Sequence, residues 1–252
     1  MLFDQKNFRI YNLNYKTMKK PLITFFSLSL MICLLSFSCK SAEFSTIAKK
    51  EFTVDAFSKI EIGGPFNVYI RQGETEQVYV EADERVINKV RVNSENGTLK
   101  VTTESIFGNV KKLNVFITLV KVDYMKLIDA GNIESKGALK LEKLKIDYSR
   151  TGNMSLTLDC GELILDCDGT GNIDLKGSAA TANIHQSGIG NFSANEFKTG
   201  ILKISVSGVG NTEVYANKEI FIHVSGVGNF TYSGDAVVKE YKVTGTGNVS
   251  KN

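Results

Sequence analysis

A Gly-Asn pair recurs through the second half of this 252-residue chain. It stands at Gly131-Asn132, Gly152-Asn153, Gly171-Asn172, Gly190-Asn191, Gly210-Asn211, Gly228-Asn229 and Gly247-Asn248. Successive asparagines are 21, 19, 19, 20, 18 and 19 residues apart. A unit of that length cannot bury its own apolar face, so copies must stack on one another. Within each unit a short alternating run follows the Asn. A variable middle comes next, then a second alternating run that closes on a Gly. Alternation of β-branched and aromatic residues at period 2 is a strand signal, and no stretch carries a helical period. Short connections between copies at a fixed step favour parallel stacking, right-handed by default. The expectation is an all-β, right-handed parallel β-helix, a β-solenoid with coils of about 19 residues.

Counting back from the closing Gly sets the register of the second run. Two residues before it lie Tyr148, Cys167, Gln186, Val206, Val224 and Val243, with Arg150 standing in for the Gly of the first coil. Four before lie Ile146, Leu165, Ile184, Ile204, Ile222 and Tyr241. Six before lie Leu144, Leu163, Ala182, Leu202, Ile220 and Lys239. These columns are expected inward. Asp147, Asp166, His185, Ser205, His223 and Lys242 alternate with them and are expected outward, as are Ser149, Asp168, Ser187, Ser207, Ser225 and Thr244. A slip of one residue would bury the polar set, so the register is well specified. In the first run Met154, Ile173, Phe192 and Phe230 point inward, followed by Leu156, Leu175, Val214 and Tyr232.

The corner chemistry has a reason too. Gly supplies positive φ cheaply. Asn side chains stacked at roughly 4.8 Å can hydrogen-bond along the column as a ladder. The column Asn132, Asn153, Asn172, Asn191, Asn211, Asn229 and Asn248 is therefore read as structural and buried. A ligand-binding Asn row would need it to face out. Asn96, Asn153, Asn191, Asn229 and Asn248 also sit in glycosylation-type triplets, most of them generated by the repeat itself.

The first forty residues carry a different signal. Lys19-Lys20 precede an apolar run from Pro21 to Cys39 that ends in small residues. That is a secretory signal peptide, too short for a membrane span. Met18 stands directly before it, which marks residues 1–17 as a candidate mis-start. The sequence Leu35-Ser-Phe-Ser-Cys39 resembles a relaxed bacterial lipobox, with Cys39 as the lipidated N-terminus and a membrane anchor; ordinary signal-peptidase cleavage nearby is the alternative. The first 38 residues hold five basic and one acidic side chain of the chain's 30 and 27, leaving 25 basic against 26 acidic, or −1. The net +3 belongs to the leader, so the charge gives no argument for a nucleic-acid partner.

The expected organisation is a signal peptide over 1–38, a lipidated N-terminus and linker over 39–51, a β segment over 52–128 and the Gly-Asn solenoid over 129–252. In the β segment strands are expected over 58–63, 66–72, 78–83, 90–93, 98–104 and 112–119, with a helical turn at 84–90. This segment caps or itself forms the first coils, because bare strand edges pair with other chains. The C-terminal end looks under-capped, which invites self-association. Cys160 and Cys167 stand as a buried hydrophobe and its neighbour, or as a disulfide within one coil.

Residues 57–82, Asn96-Gly-Thr-Leu-Lys-Val101, Leu113-Asn-Val-Phe-Ile-Thr-Leu119 and the Gly-Asn coils together resemble the auto-transporter adhesin family with the head GIN domain. The resemblance covers roughly residues 52–250. It departs at Val120, where the family commonly has Pro. It implies a β-helix like that of pectate lyases, an exported or lipid-anchored setting in Bacteroidetes-type bacteria, and adhesion. The family has no established catalytic residues to carry over.

The functional expectation is a non-catalytic cell-envelope lipoprotein at the outer membrane or cell surface. It would present Asp147, Asp166, His185, Ser205 and His223 to an extended glycan or protein. Asp147, Asp166 and Asp168 form a candidate acidic patch. Asp166 and His185 fall on adjacent coils, but His223 lies two coils from His185, too far to share a metal ion. No cofactor and no metal site is expected. The alternatives are a polysaccharide-active β-helix lyase or hydrolase, which needs clustered acids and long loops, and a structural protein of envelope assembly.

Overall fold

The computed structural model describes residues 46–105, 110–129, 131–149 and 151–252. The leader, Cys39 and Arg150 lie outside them. The architecture is a β-solenoid of about seven stacked coils, about 19 residues apart. Five long strands build its body: β9 (Ile133–Ser149), β10 (Met154–Cys167), β11 (Ile173–Gln186), β12 (Phe192–Val206) and β13 (Thr212–Val224). Each pairs in parallel with the next. The variable middle of each unit is thus part of one continuous strand rather than a loop. We call the half after the Asn the first leg and the half before the closing Gly the second leg. Between coils the chain turns through Gly-X-Gly-Asn, where Thr151, Thr170, Ile189, Val209, Val227 and Thr246 form single parallel bridges.

The expected inward columns are the core. Ile146, Leu165, Ile184, Ile204 and Ile222 are at most 3% exposed, and Leu144, Leu163, Ala182, Leu202 and Ile220 are equally buried. Each buried Leu or Ile contributes about 1.5–3 kcal/mol. The register departs from expectation in the last coil, β14 (Phe230–Ser233), β15 (Val237–Val243) and β16 (Val249–Lys251). A bulge between Ile220 and Phe221 of β13 pairs Ile220 with Val238 and Phe221 with Glu240. Lys239 therefore leaves the inward column and reaches Glu219, 3.4 Å away. The reason is desolvation: an ammonium in that apolar stack would be unpaired. Tyr241 is also 55% exposed, not inward-packed, because among the described residues no coil lies beyond β15 to cover it.

The N-terminal segment both forms coils and caps them. Its strands are β1 (Ile47–Phe52), β2 (Lys59–Gly63), β3 (Asn67–Gln72), β4 (Gln77–Asp83), β5 (Val90–Glu95), β6 (Thr98–Thr103), β7 (Leu113–Leu119) and β8 (Tyr124–Ile128). In the second-leg sheet β6, β2 and β8 run parallel to one another and to β9. In the first-leg sheet β7 and β3 do the same. Antiparallel strands then finish each sheet, β5 on β6, and β4 followed by β1 on β7. The segment read as a linker up to residue 51 is thus a strand from Ile47. Helix α1 (Glu84–Ile87) is a single turn, N-capped by Asp83, whose side chain accepts from the Arg85 backbone N–H.

Candidate functional site

Gly and Asn play separate parts at the corners. Gly190 and Gly210 have φ of 142° and 143°, a region costly for any residue with a Cβ. The Asn residues are not in that region. Each instead lends its side-chain Oδ1 to the backbone N–H of the next Asn. The distances are 3.3 Å from Asn153 to Asn132, 2.9 Å from Asn172 to Asn153, and 3.0 Å from Asn191 to Asn172. Asn211, Asn229 and Asn248 continue the ladder at 3.1, 3.1 and 3.3 Å. The column is solvent-exposed throughout, not buried as expected. It also starts earlier than the Gly-Asn pairs do. Asn132 donates its backbone N–H to Asn67 Oδ1, and Asn67 Nδ2 donates to Asn114 Oδ1. The shared pattern Asn-Val-aromatic-Ile at Asn67 and Asn114 was the available signal.

The outward residues of the second leg gather on one sheet face. Asp147, Asp166, His185, Ser205 and His223 are successive pairing partners across β9 to β13. Two shallow depressions lie on this face. One of about 420 Å³ is lined by Lys126, Asp147, Asp166, Asp168 and His185, among others. The second, about 280 Å³, is lined by Asn183, Lys203, Ser205, Phe221, His223 and Glu240. Each takes a residue of β11, His185 in the first and Asn183 in the second, and both lie on the row from Asp147 to His223, which we call the trough. Register reasoning did not single out Asn183, Lys203, Phe221 and Glu240. They stand five residues before each closing Gly, one more step of the same alternation.

The electrostatics of the trough are largely internal. Tyr124 Oη donates to Asp147 Oδ2 at 2.6 Å. Lys145 Nζ sits 3.1 Å from Asp147 and 3.7 Å from Asp166. The hydrogen bond to the Asp147 carboxylate, with burial second, pushes the Tyr124 phenol up to about 12. The same carboxylate raises Lys145. The expected acidic patch is therefore bridged by a lysine. At the other end His223 Nε2 lies 2.8 Å from Glu240 Oε1. That has the distance of an ion pair without the alignment of a hydrogen bond, and Nε2 is otherwise buried without a partner. Among the described residues no three His, Cys, Asp or Glu side chains converge as metal ligands would. Cys160 and Cys167 are free and buried, and burial pushes both thiols up to about 11.

Fold and face define a class, the parallel β-solenoids that expose regular polar strand faces. Within it, residues 56–236 match the family described as "Putative auto-transporter adhesin, head GIN domain", and the chain belongs to that family. Solved structures share the fold, three of them as follows. A "putative adhesin" from Bacteroides fragilis is 24% identical, with TM-score 0.79, covering 82% of this chain and 97% of that one. A "putative lipid binding protein" from Parabacteroides distasonis is 17% identical, with TM-score 0.64, covering 83% and 98%. A "putative adhesin" from the same organism is 21% identical, with TM-score 0.61, covering 83% and 98%. No curated protein matches the sequence. Among the described residues no helix is long and apolar enough to cross a membrane.

Proposed function

We propose that this protein is a non-catalytic binding module exposed at the cell envelope, an adhesin in kind, that holds an extended glycan or protein strand along the second-leg sheet. The observation that carries the reading is the trough itself: two depressions set along one outward row that runs from Asp147 to His223. Coils recur at roughly 4.8 Å, so donors and acceptors recur along the trough as groups recur along a polymer. Membership of the adhesin family supports the same reading. The non-catalytic reading draws on Asp147, whose oxygens are committed to Tyr124 and Lys145 rather than poised beside a substrate. Anchoring through a lipid on Cys39 is part of the proposal, and loss of detergent partitioning in Cys39→Ala is its check.

The experiment is an array of glycans and extracellular-matrix proteins probed with wild type and with a trough variant, Asp166→Asn/His185→Gln/Phe221→Ala. The expected outcome is a ligand bound by wild type and lost in the folded variant. Equal binding by both forms would reject the trough. Release of unsaturated or reducing sugar ends, lost in Asp166→Asn, would replace the adhesin with an enzyme.

A further inference from the structure

A second surface, on the first-leg sheet at the capped end, has a different chemistry. Pairing sets Tyr69 of β3, Phe116 of β7 and Tyr79 of β4 side by side. Their rings stack, with centroids 4.9 Å apart at 21° for Tyr69–Phe116 and 4.5 Å apart at 7° for Tyr79–Phe116. Lys136 Nζ lies 4.8 Å from the Tyr69 ring centre and Lys49 Nζ lies 4.3 Å from that of Tyr79. The inner ring faces thus cover one another, and ammonium groups cover the outer two. No open face is left on which a sugar ring could stack. The ladder turns its edges outward, and edges are the positive part of an aromatic quadrupole.

Arg71 stands beside the ladder. Its Nε donates to Thr118 Oγ1 at 2.8 Å, and Thr118 is 7% exposed. That bond engages Nε, and the two terminal nitrogens of this exposed side chain have no partner among the described residues. Lys49 is paired with Glu51 and Lys136 with Glu134. Arg71 has no carboxylate within ion-pair distance among the described residues. A depression of about 340 Å³ is lined by Tyr69, Arg71, Tyr79, Phe116, Thr118 and Lys136.

We propose that this depression binds an oxyanion, a carboxylate or sulfate, carried by an acidic polysaccharide. The terminal fork of Arg71 takes two oxygens of the anion, a geometry a lysine cannot copy. The electropositive ring edges add to the attraction, while the two flanking ammonium groups are already balanced by Glu51 and Glu134. A neutral glycan gains nothing from this arrangement, since the ring faces are closed. An anionic membrane surface calls for a cluster of unpaired basic residues, and here both lysines already hold carboxylates. The site lies on the other leg from the trough and so is independent of it.

The test uses full-length protein in detergent and measures binding of dextran sulfate, polygalacturonate and unmodified dextran. Wild type is expected to bind the two polyanions and not the neutral polymer. Arg71→Gln is expected to weaken binding about tenfold or more, the loss of a charge-assisted pair. Arg71→Lys, which keeps the charge, should lose most of the same affinity. Arg91→Gln removes one positive charge from an exposed pair with Glu104 and should leave binding within about twofold, as expected of a surface pair. Equal losses in the Arg71 and Arg91 variants would mean diffuse charge attraction and overturn the site. So would wild-type levels of binding in Arg71→Lys, equal binding of unmodified dextran, or absence of polyanion binding. Preference for phosphatidylglycerol vesicles over both polyanions would reassign the surface to membrane contact and overturn the glycan reading.

Discussion

Asn191 joins two coils with one side chain: its Oδ1 takes the Asn211 N–H at 3.1 Å while its own N–H goes to Asn172. Because the column is exposed, water can replace a lost acceptor. The cost of Asn191→Ala should therefore be about 1 kcal/mol, well below that of a buried orphan. Asn191→Asp keeps an acceptor and should cost less. Hydrogen exchange checks both, since the Asn211 amide should exchange faster in the Ala variant and near the wild-type rate in the Asp variant. Unchanged exchange in Asn191→Ala would mean the ladder bond contributes nothing. The buried thiols make a second residue-scale case. Burial, the larger cause for each, raises Cys160 and Cys167 from 9.0 to about 11. Their neutral forms are favoured in the fold, so the linked stability is complete below pH 9 and is lost as pH climbs towards 11. Cys167→Ala should therefore show a shallower fall in melting temperature between pH 9 and pH 11 than wild type. Parallel curves would deny the linkage. Iodoacetamide at pH 8 should leave both cysteines unlabelled until the protein is unfolded.

At the scale of the element, glycine sets how closely coils approach. A Cβ on Gly188 would lie 1.8 Å from the Gly169 carbonyl oxygen. That atom is backbone of the coil below and cannot swing aside. Gly188→Ala should cost about 1–3 kcal/mol or more by overpacking, and the loss should spread to β11 and β12 because they share the corner. A melting temperature equal to wild type would show that the corner yields. These corners were legible in the sequence, as were the inward columns, because both follow one period counted from a fixed Gly. The same counting misplaced Lys239, since a bulge breaks the count and no residue announces it. β1 was missed because Ile47-Ala-Lys-Lys-Glu-Phe52 is mostly exposed and shows no alternation. The outward columns of the trough were legible as columns. The bridging of Asp147 and Asp166 by Lys145 was not, because it depends on where a long side chain settles. The aromatic ladder was hidden for another reason: Tyr69, Tyr79 and Phe116 meet only through pairing across β3, β4 and β7.

For the whole molecule the two ends are unlike. The N-terminal end is finished by antiparallel β1, β4 and β5, whereas β15 leaves Val237, Val238 and Tyr241 59%, 38% and 55% exposed. A stacked array of this kind gains stability chiefly from neighbouring coils, and among the described residues the coil of β15 is held from one side only. Such an edge is also a template for another strand. Lys239 and Lys242 stand on it, and Lys251 on β16 beside it. An incoming β15 from a second copy, running antiparallel about Glu240, would set Glu240 against its own counterpart and bring lysines near the seam. Like charges directly opposed on a sheet are destabilising. The exposed apolar residues therefore favour end-to-end pairing while the charges oppose it, and removing charge should shift the balance. Lys239→Thr/Lys242→Thr should raise the concentration-dependent mass seen by light scattering above that of wild type, with the difference largest at low salt, where the lysine repulsion that the substitutions remove is least screened. Added Lys at Val237 should lower it. Masses that match wild type at every concentration would show that this edge neither pairs nor needs guarding.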